Sequence, residues 1–135
     1  MSTLGCRNSL SASEEIPPWL REQLARFEQL QQNLQSILVQ RQQVEIESSE
    51  IGKALEELKK ASDTDAVYKS AGNILIRSKK DELIKDLEER KELSGTRTAV
   101  LTKQEQRVRE NIKDLQAKIE EAIKSRSTAS PRASS

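Results

Sequence analysis

The chain has 135 residues, of which 33% are charged, 34% hydrophobic and 2% aromatic, with 23 Lys and Arg against 22 Asp and Glu. Globular domains spend nearly half their residues on apolar types, so this supply is too thin for a three-dimensional core but enough for a narrow seam; few Gly and Pro among abundant Glu, Lys, Gln, Leu and Arg point to long helices or coiled coil. The lack of His removes the commonest general base and metal ligand, the single cysteine, Cys6, excludes an internal disulfide or thiolate metal site, and a net charge of +1 argues against a nucleic-acid surface.

Residues 1–15 are Ser-rich and aperiodic and read as a disordered tail. A helix is predicted over residues 18–61. Steps of three and four from Leu20 give Leu20, Gln23, Phe27, Leu30, Leu34, Ile37, Arg41, Val44, Ser48, Ile51, Leu55 and Leu58, nine of them apolar. A period of 3.5 held this long means a narrow seam facing another helix. Pro17-Pro18 stands at its start, where a missing N–H does no harm.

Residues 66–78 switch to a strand-like pattern. β-Branched and aromatic side chains cluster, and Gly72-Asn73 fits a two-residue hairpin turn. Pairing around it puts Val67, Lys69, Ala71, Ile74 and Ile76 on one face and Tyr68, Ser70, Leu75 and Arg77 on the other. An isolated hairpin is marginal in water, and unpaired edges invite pairing with other chains, so the hairpin is expected to assemble with copies from other subunits.

A second helix is predicted over residues 79–124, with Ser78 and Asp81 at capping-box spacing. Its seam is Ile84, Leu87, Lys91, Ser94, Thr98, Leu101, Glu105, Val108, Ile112, Leu115, Ile119 and Ala122, eight of them apolar. Folded back so that Leu58 faces Ile84, the two seams stay in register throughout, each facing pair summing to 142. Ser48 then opposes Ser94, and Arg41 and Glu105 lie one layer apart, placed to pair. An intramolecular antiparallel coiled coil follows. Its middle is polar and carries Gly52 and Gly95, which predicts a softer stretch. Residues 125–135 read as a second disordered tail. No apolar run nears the roughly 18 residues of a membrane span.

Two long helices joined by one hairpin resemble a prefoldin subunit of the beta class, in its archaeal form, over residues 16–124. The run Val67-Tyr68-Lys69-Ser70-Ala71-Gly72-Asn73-Ile74-Leu75-Ile76 is the most specific part, and Ile16-Pro17-Pro18 is similar to the archaeal subunits. The resemblance implies an ATP-independent cytoplasmic holdase chaperone without cofactor or metal. It implies a hetero-hexamer of two alpha and four beta subunits, whose hairpins, here Val67, Tyr68, Ala71, Gly72, Asn73, Ile74, Leu75 and Ile76, build a β-barrel platform. Coiled-coil tips then hold non-native clients and pass them to a group II chaperonin.

Client-binding candidates at the tip are Ile16, Trp19, Leu20, Leu24, Phe27, Leu115, Ile119 and Ile123. Exposed apolar surface rimmed by charge suits clients that offer apolar segments without fixed sequence. Trp19, Leu24 and Ile123 lie off the seam and are the stronger candidates; Leu20, Phe27 and Leu115 equally well complete the coiled coil. Adjacent carboxylates such as Glu56-Glu57 and Glu120-Glu121 point to different sides of a helix, so no catalytic constellation is expected. The competing reading is a coiled-coil scaffold or spacer without client binding.

Overall fold

A computed structural model describes residues 16–134, with side chains through Arg126. The predicted N-terminal tail, residues 1–15, lies outside the described residues. Helix α1 spans Pro18–Lys60, strands β1 and β2 span Val67–Ala71 and Ile74–Ser78, and helix α2 spans Lys80–Ser134. The fold is thus two long helices with a two-stranded antiparallel hairpin between them.

Local chemistry sets each boundary. The Pro17 carbonyl accepts the first helical bond of α1 from the Arg21 N–H at 3.1 Å, so the two prolines fall where no N–H is required. At the other end Lys59 and Lys60 complement the helix dipole. Lys80 caps that end from the neighbouring helix: its ammonium donates to the Ala61 carbonyl at 2.7 Å and lies 3.5 Å from the Asp63 carboxylate. A reciprocal turn follows, in which Asp65 N–H donates to the Ser62 carbonyl and Ser62 N–H to the Asp65 carboxylate.

The start of α2 differs by one residue from the sequence expectation. Lys79, rather than Ser78, takes the cap position, since its carbonyl accepts from Leu83 N–H at 3.0 Å. Ser78 is drawn into β2 as the partner of Val67. Asp81 and Glu82 in the first turn still favour a helix N-terminus electrostatically. At its far end α2 runs past Lys124, where the seam stops, to Ser134. Residues 125–130 contain neither Gly nor Pro, so nothing local stops the helix there.

The hairpin register pairs Val67 with Ser78, Tyr68 with Arg77, Lys69 with Ile76, Ser70 with Leu75 and Ala71 with Ile74, which reproduces the two faces read from the sequence. Gly72 has φ +62° and no other described residue has a positive φ. Positive φ at the first central position only is the type II′ pattern, which suits strand twist and asks for glycine there.

The helices form two packing units. In the one spanning Ile37–Glu105, Val44, Ile51, Leu55, Leu83 and Leu101 are buried, with Ser94 the buried polar residue. The Arg41 guanidinium donates to Glu105 of the other helix, as the register test anticipated, and its Nε lies 3.5 Å from Glu45. Arg97 and Glu47 add a cross-helix contact at 4.0 Å. In the other unit, formed by the outer ends of both helices, Leu20, Leu115 and Ile119 make the core.

The seam reading holds along α1, where all twelve positions are buried or half-buried. Along α2 it fails at Lys91, which is exposed, and it misses Leu83, which is buried. Lys91 has a charge to hydrate. Leu83 lies one turn before Leu87 and faces the hairpin base, where both helices must cover β1 as well as each other.

Candidate functional site

Two clusters of large apolar groups facing solvent stand out, one in each packing unit. At the helix ends the eight candidate residues divide by heptad phase. Leu20, Leu115 and Ile119 sit on the seam and are buried in the core, and Ile16 and Phe27 are half-buried against it. Trp19 precedes Leu20, Leu24 follows Gln23, and Ile123 follows Ala122. One residue turns a helix by about 100°, so each swings off the seam. They stand 49%, 40% and 51% exposed.

Trp19 borders a shallow groove of about 340 Å³ whose other walls are Lys118, Glu121, Ala122 and Ser125. A smaller groove of about 170 Å³ runs beside Gln23, Arg26, Leu30, Asn111, Asp114 and Lys118. Apolar floor and charged rim therefore alternate at the helix ends. That arrangement can accept an apolar side chain while staying hydrated around it.

The hairpin is the second surface. Lys69 reaches across to Asp86 of α2 at 3.5 Å, and Val67 and Lys69 are the half-buried residues of β1. Ala71, Ile74 and Ile76 share their face but project beyond the helices. Ile74 and Leu75, at 66% and 70% exposed, are the barest large apolar residues described, with Ile76 and Tyr68 also exposed. A groove of about 510 Å³ lies beside β1, walled by Leu58, Ala61, Val67, Tyr68, Leu83 and Leu87 among others. β1 pairs with β2 alone, so the outer edges of both strands lack a partner strand within the described residues.

Sequence reasoning thus placed Gly72 and Asn73 in the turn, and it assigned Tyr68, Ile74, Leu75 and Ile76, all of them exposed, to the assembling hairpin. It missed Leu93 and Val100, exposed on α2 and seven residues apart. Their shared helix face was readable from that spacing. Val39 and Ile46 on α1, also exposed, repeat the same interval. Among the described residues, no helix is long and apolar enough to cross a membrane.

Comparison with known proteins gives these surfaces a family. The prefoldin subunit model matches residues 21–126. The prefoldin beta subunit of Archaeoglobus fulgidus is 41% identical over 109 residues, covering 81% of this chain and 94% of that protein. The prefoldin beta subunit of Pyrobaculum neutrophilum is 42% identical over 109 residues, covering 81% and 86%. Among solved structures, the prefoldin beta subunit of Thermococcus strain KS-1 superposes with a TM-score of 0.71 at 36% identity, covering 79% of this chain and 94% of that one. With its helix–hairpin–helix order, its single hairpin and a match over most of its length, this chain belongs to the prefoldin subunit family of chaperones, alongside the archaeal beta subunits.

Proposed function

We propose that this chain is the beta subunit of an ATP-independent cytoplasmic holdase. Its hairpin joins hairpins of other subunits into a β-barrel platform, in a hetero-hexamer of two alpha and four beta subunits. Trp19, Leu24 and Ile123, with Ile16 and Phe27 beside them, hold apolar segments of non-native proteins. Leu20, Leu115 and Ile119 support that surface from beneath and join it when the helix ends fray. Clients then pass to a group II chaperonin.

One observation carries the reading. Apart from Val39, Ile46, Leu93 and Val100, spaced along the helices, the chain gathers its large exposed side chains on two surfaces of different character, a strand edge and a charged-rimmed helix end. A strand edge with Ile74, Leu75 and Ile76 bare in the single chain suits pairing with like strands. The helix-end surface offers no hydrogen-bond template, which suits clients without fixed sequence. A scaffold or spacer would need neither.

The test mixes this chain with an archaeal alpha-class prefoldin subunit. Sizing should give a hexamer, and the hexamer should suppress aggregation of a denatured client without ATP. A mixture that stays unassembled, or a hexamer that leaves aggregation unchanged, overturns the proposal.

A further inference from the structure

Gly52 and Gly95 lie inside α1 and α2, within the unit Ile37–Glu105. A glycine is kept inside a helix for space or for backbone conformation, and neither reason applies here. Neither has a positive φ. A Cβ at Gly95 would meet nothing within 4 Å, and one at Gly52 would meet only the Lys91 Nζ at 3.9 Å, the end of a flexible side chain. Each glycine therefore does one thing: it disfavours the helix about fivefold relative to alanine.

Two further features fall in the same stretch. The α2 seam turns polar, with Lys91 exposed, Ser94 buried and Thr98 half-buried. The hydroxyls of Thr96, Thr98 and Thr102 also donate to the carbonyls four residues back, Glu92 at 3.2 Å, Ser94 at 2.9 Å and Thr98 at 2.8 Å. Such bonds compete with the helical ladder and favour bending. Val44, Ile51 and Leu101, all buried, keep the two helices together at this level.

We propose that residues 91–102 of α2, with Gly52 across from them, form a compliant joint that opens and bows locally while the apolar seam holds the helices in contact. It rests on the fold alone, so it stands or falls independently of client holding. The test is amide hydrogen exchange on the full chain and on the double variant Gly52→Ala, Gly95→Ala, which the open space around both positions allows to fold. In the parent chain, residues 91–102 exchange faster than residues 83–87 and 112–119. In the variant that segment slows by about fivefold through Gly95→Ala, and the α1 residues around position 52 slow by a similar factor through Gly52→Ala, while the flanking segments keep their rates. A parent chain with even protection along α2, or a variant whose joint exchanges as before, overturns the proposal.

Discussion

Trp19→Ala with Leu24→Ala tests whether the exposed helix-end residues do the holding. Trp19 and Leu24 are 49% and 40% exposed, so folding withdraws only part of each from water. Full burial of a large apolar side chain is worth about 1.5–3 kcal/mol, which puts the folding loss at roughly 1 kcal/mol each. The remaining exposed part is what a client would cover, again roughly 1 kcal/mol per residue. Two residues then weaken each contact by about 2 kcal/mol, roughly 30-fold. Leu115→Ala is the contrasting change: Leu115 is buried, and a buried Leu→Ala loses about 2–5 kcal/mol of stability. The assay is aggregation suppression by the assembled hexamer, alongside urea unfolding of each variant. The double variant should assemble normally, lose no more than roughly 2 kcal/mol in urea, the sum of the two folding terms, and need at least tenfold more chaperone for equal suppression. Leu115→Ala should unfold earlier. If Trp19→Ala with Leu24→Ala holds clients as the parent does, the exposed residues are not the client surface. If Leu115→Ala alone then loses holding, the buried set is.

Other consequences are as direct. Ile74→Asp with Ile76→Asp puts carboxylates on the bare hairpin face and should leave subunits unassembled with the helices intact; sedimentation checks the first and circular dichroism the second. Gly72→Ala forces a left-handed conformation onto a residue with a Cβ, which costs about 1–2 kcal/mol although open space surrounds the site; assembly with the alpha subunit should weaken by roughly tenfold in a titration. Arg41→Met removes a charged partner from part-buried Glu105 and should lower stability by roughly 2 kcal/mol in urea. Replacing both, Arg41→Met with Glu105→Leu, should recover most of that loss, because an apolar pair suits a seam position.

The fold was legible because period and length survive in a single sequence. Alternate steps of three and four name the α1 seam without error, and the summed register predicts even the Arg41–Glu105 pair. Gly72-Asn73 named the turn, because few dipeptides meet its backbone demand. Leu83 and Ser78 escaped for one shared reason. Both lie where helix meets strand, and there the partner of a residue is set by three-dimensional packing rather than by a period along one chain. Ser78 had two competing uses, cap or strand end, and pairing with Val67 prevailed. The helix-end surface was half legible. Heptad phase separates Trp19, Leu24 and Ile123 from Leu20, Leu115 and Ile119. It places Phe27 on the seam as well, but it does not show that Ile16 folds partway onto the core, which depends on how the chain enters α1 through the two prolines.

The scarcity of apolar residues now has a structural meaning. A pair of helices has only one face each to bury, and the seam uses about one residue in three or four. Most apolar side chains beyond the seam face water in the single chain, with Leu83 at the hairpin base and Ile16 at the helix end among the exceptions. The exposed residues of the hairpin and those of the helix ends differ in their surroundings. Ile74, Leu75 and Ile76 are consecutive, next to an open strand edge, where backbone hydrogen bonding selects another strand as partner. Arg21 and Glu22 stand between Trp19 and Leu24, and Glu121 and Lys124 flank Ile123, on closed helices whose backbone groups are already satisfied. Such a surface cannot template a strand, and its charges discourage one copy from docking on another. Continuous apolar strand suits permanent assembly, and dispersed apolar groups on a charged helix suit reversible holding. A richer composition would blur that division, because extra apolar side chains on the helices would favour self-association over capture.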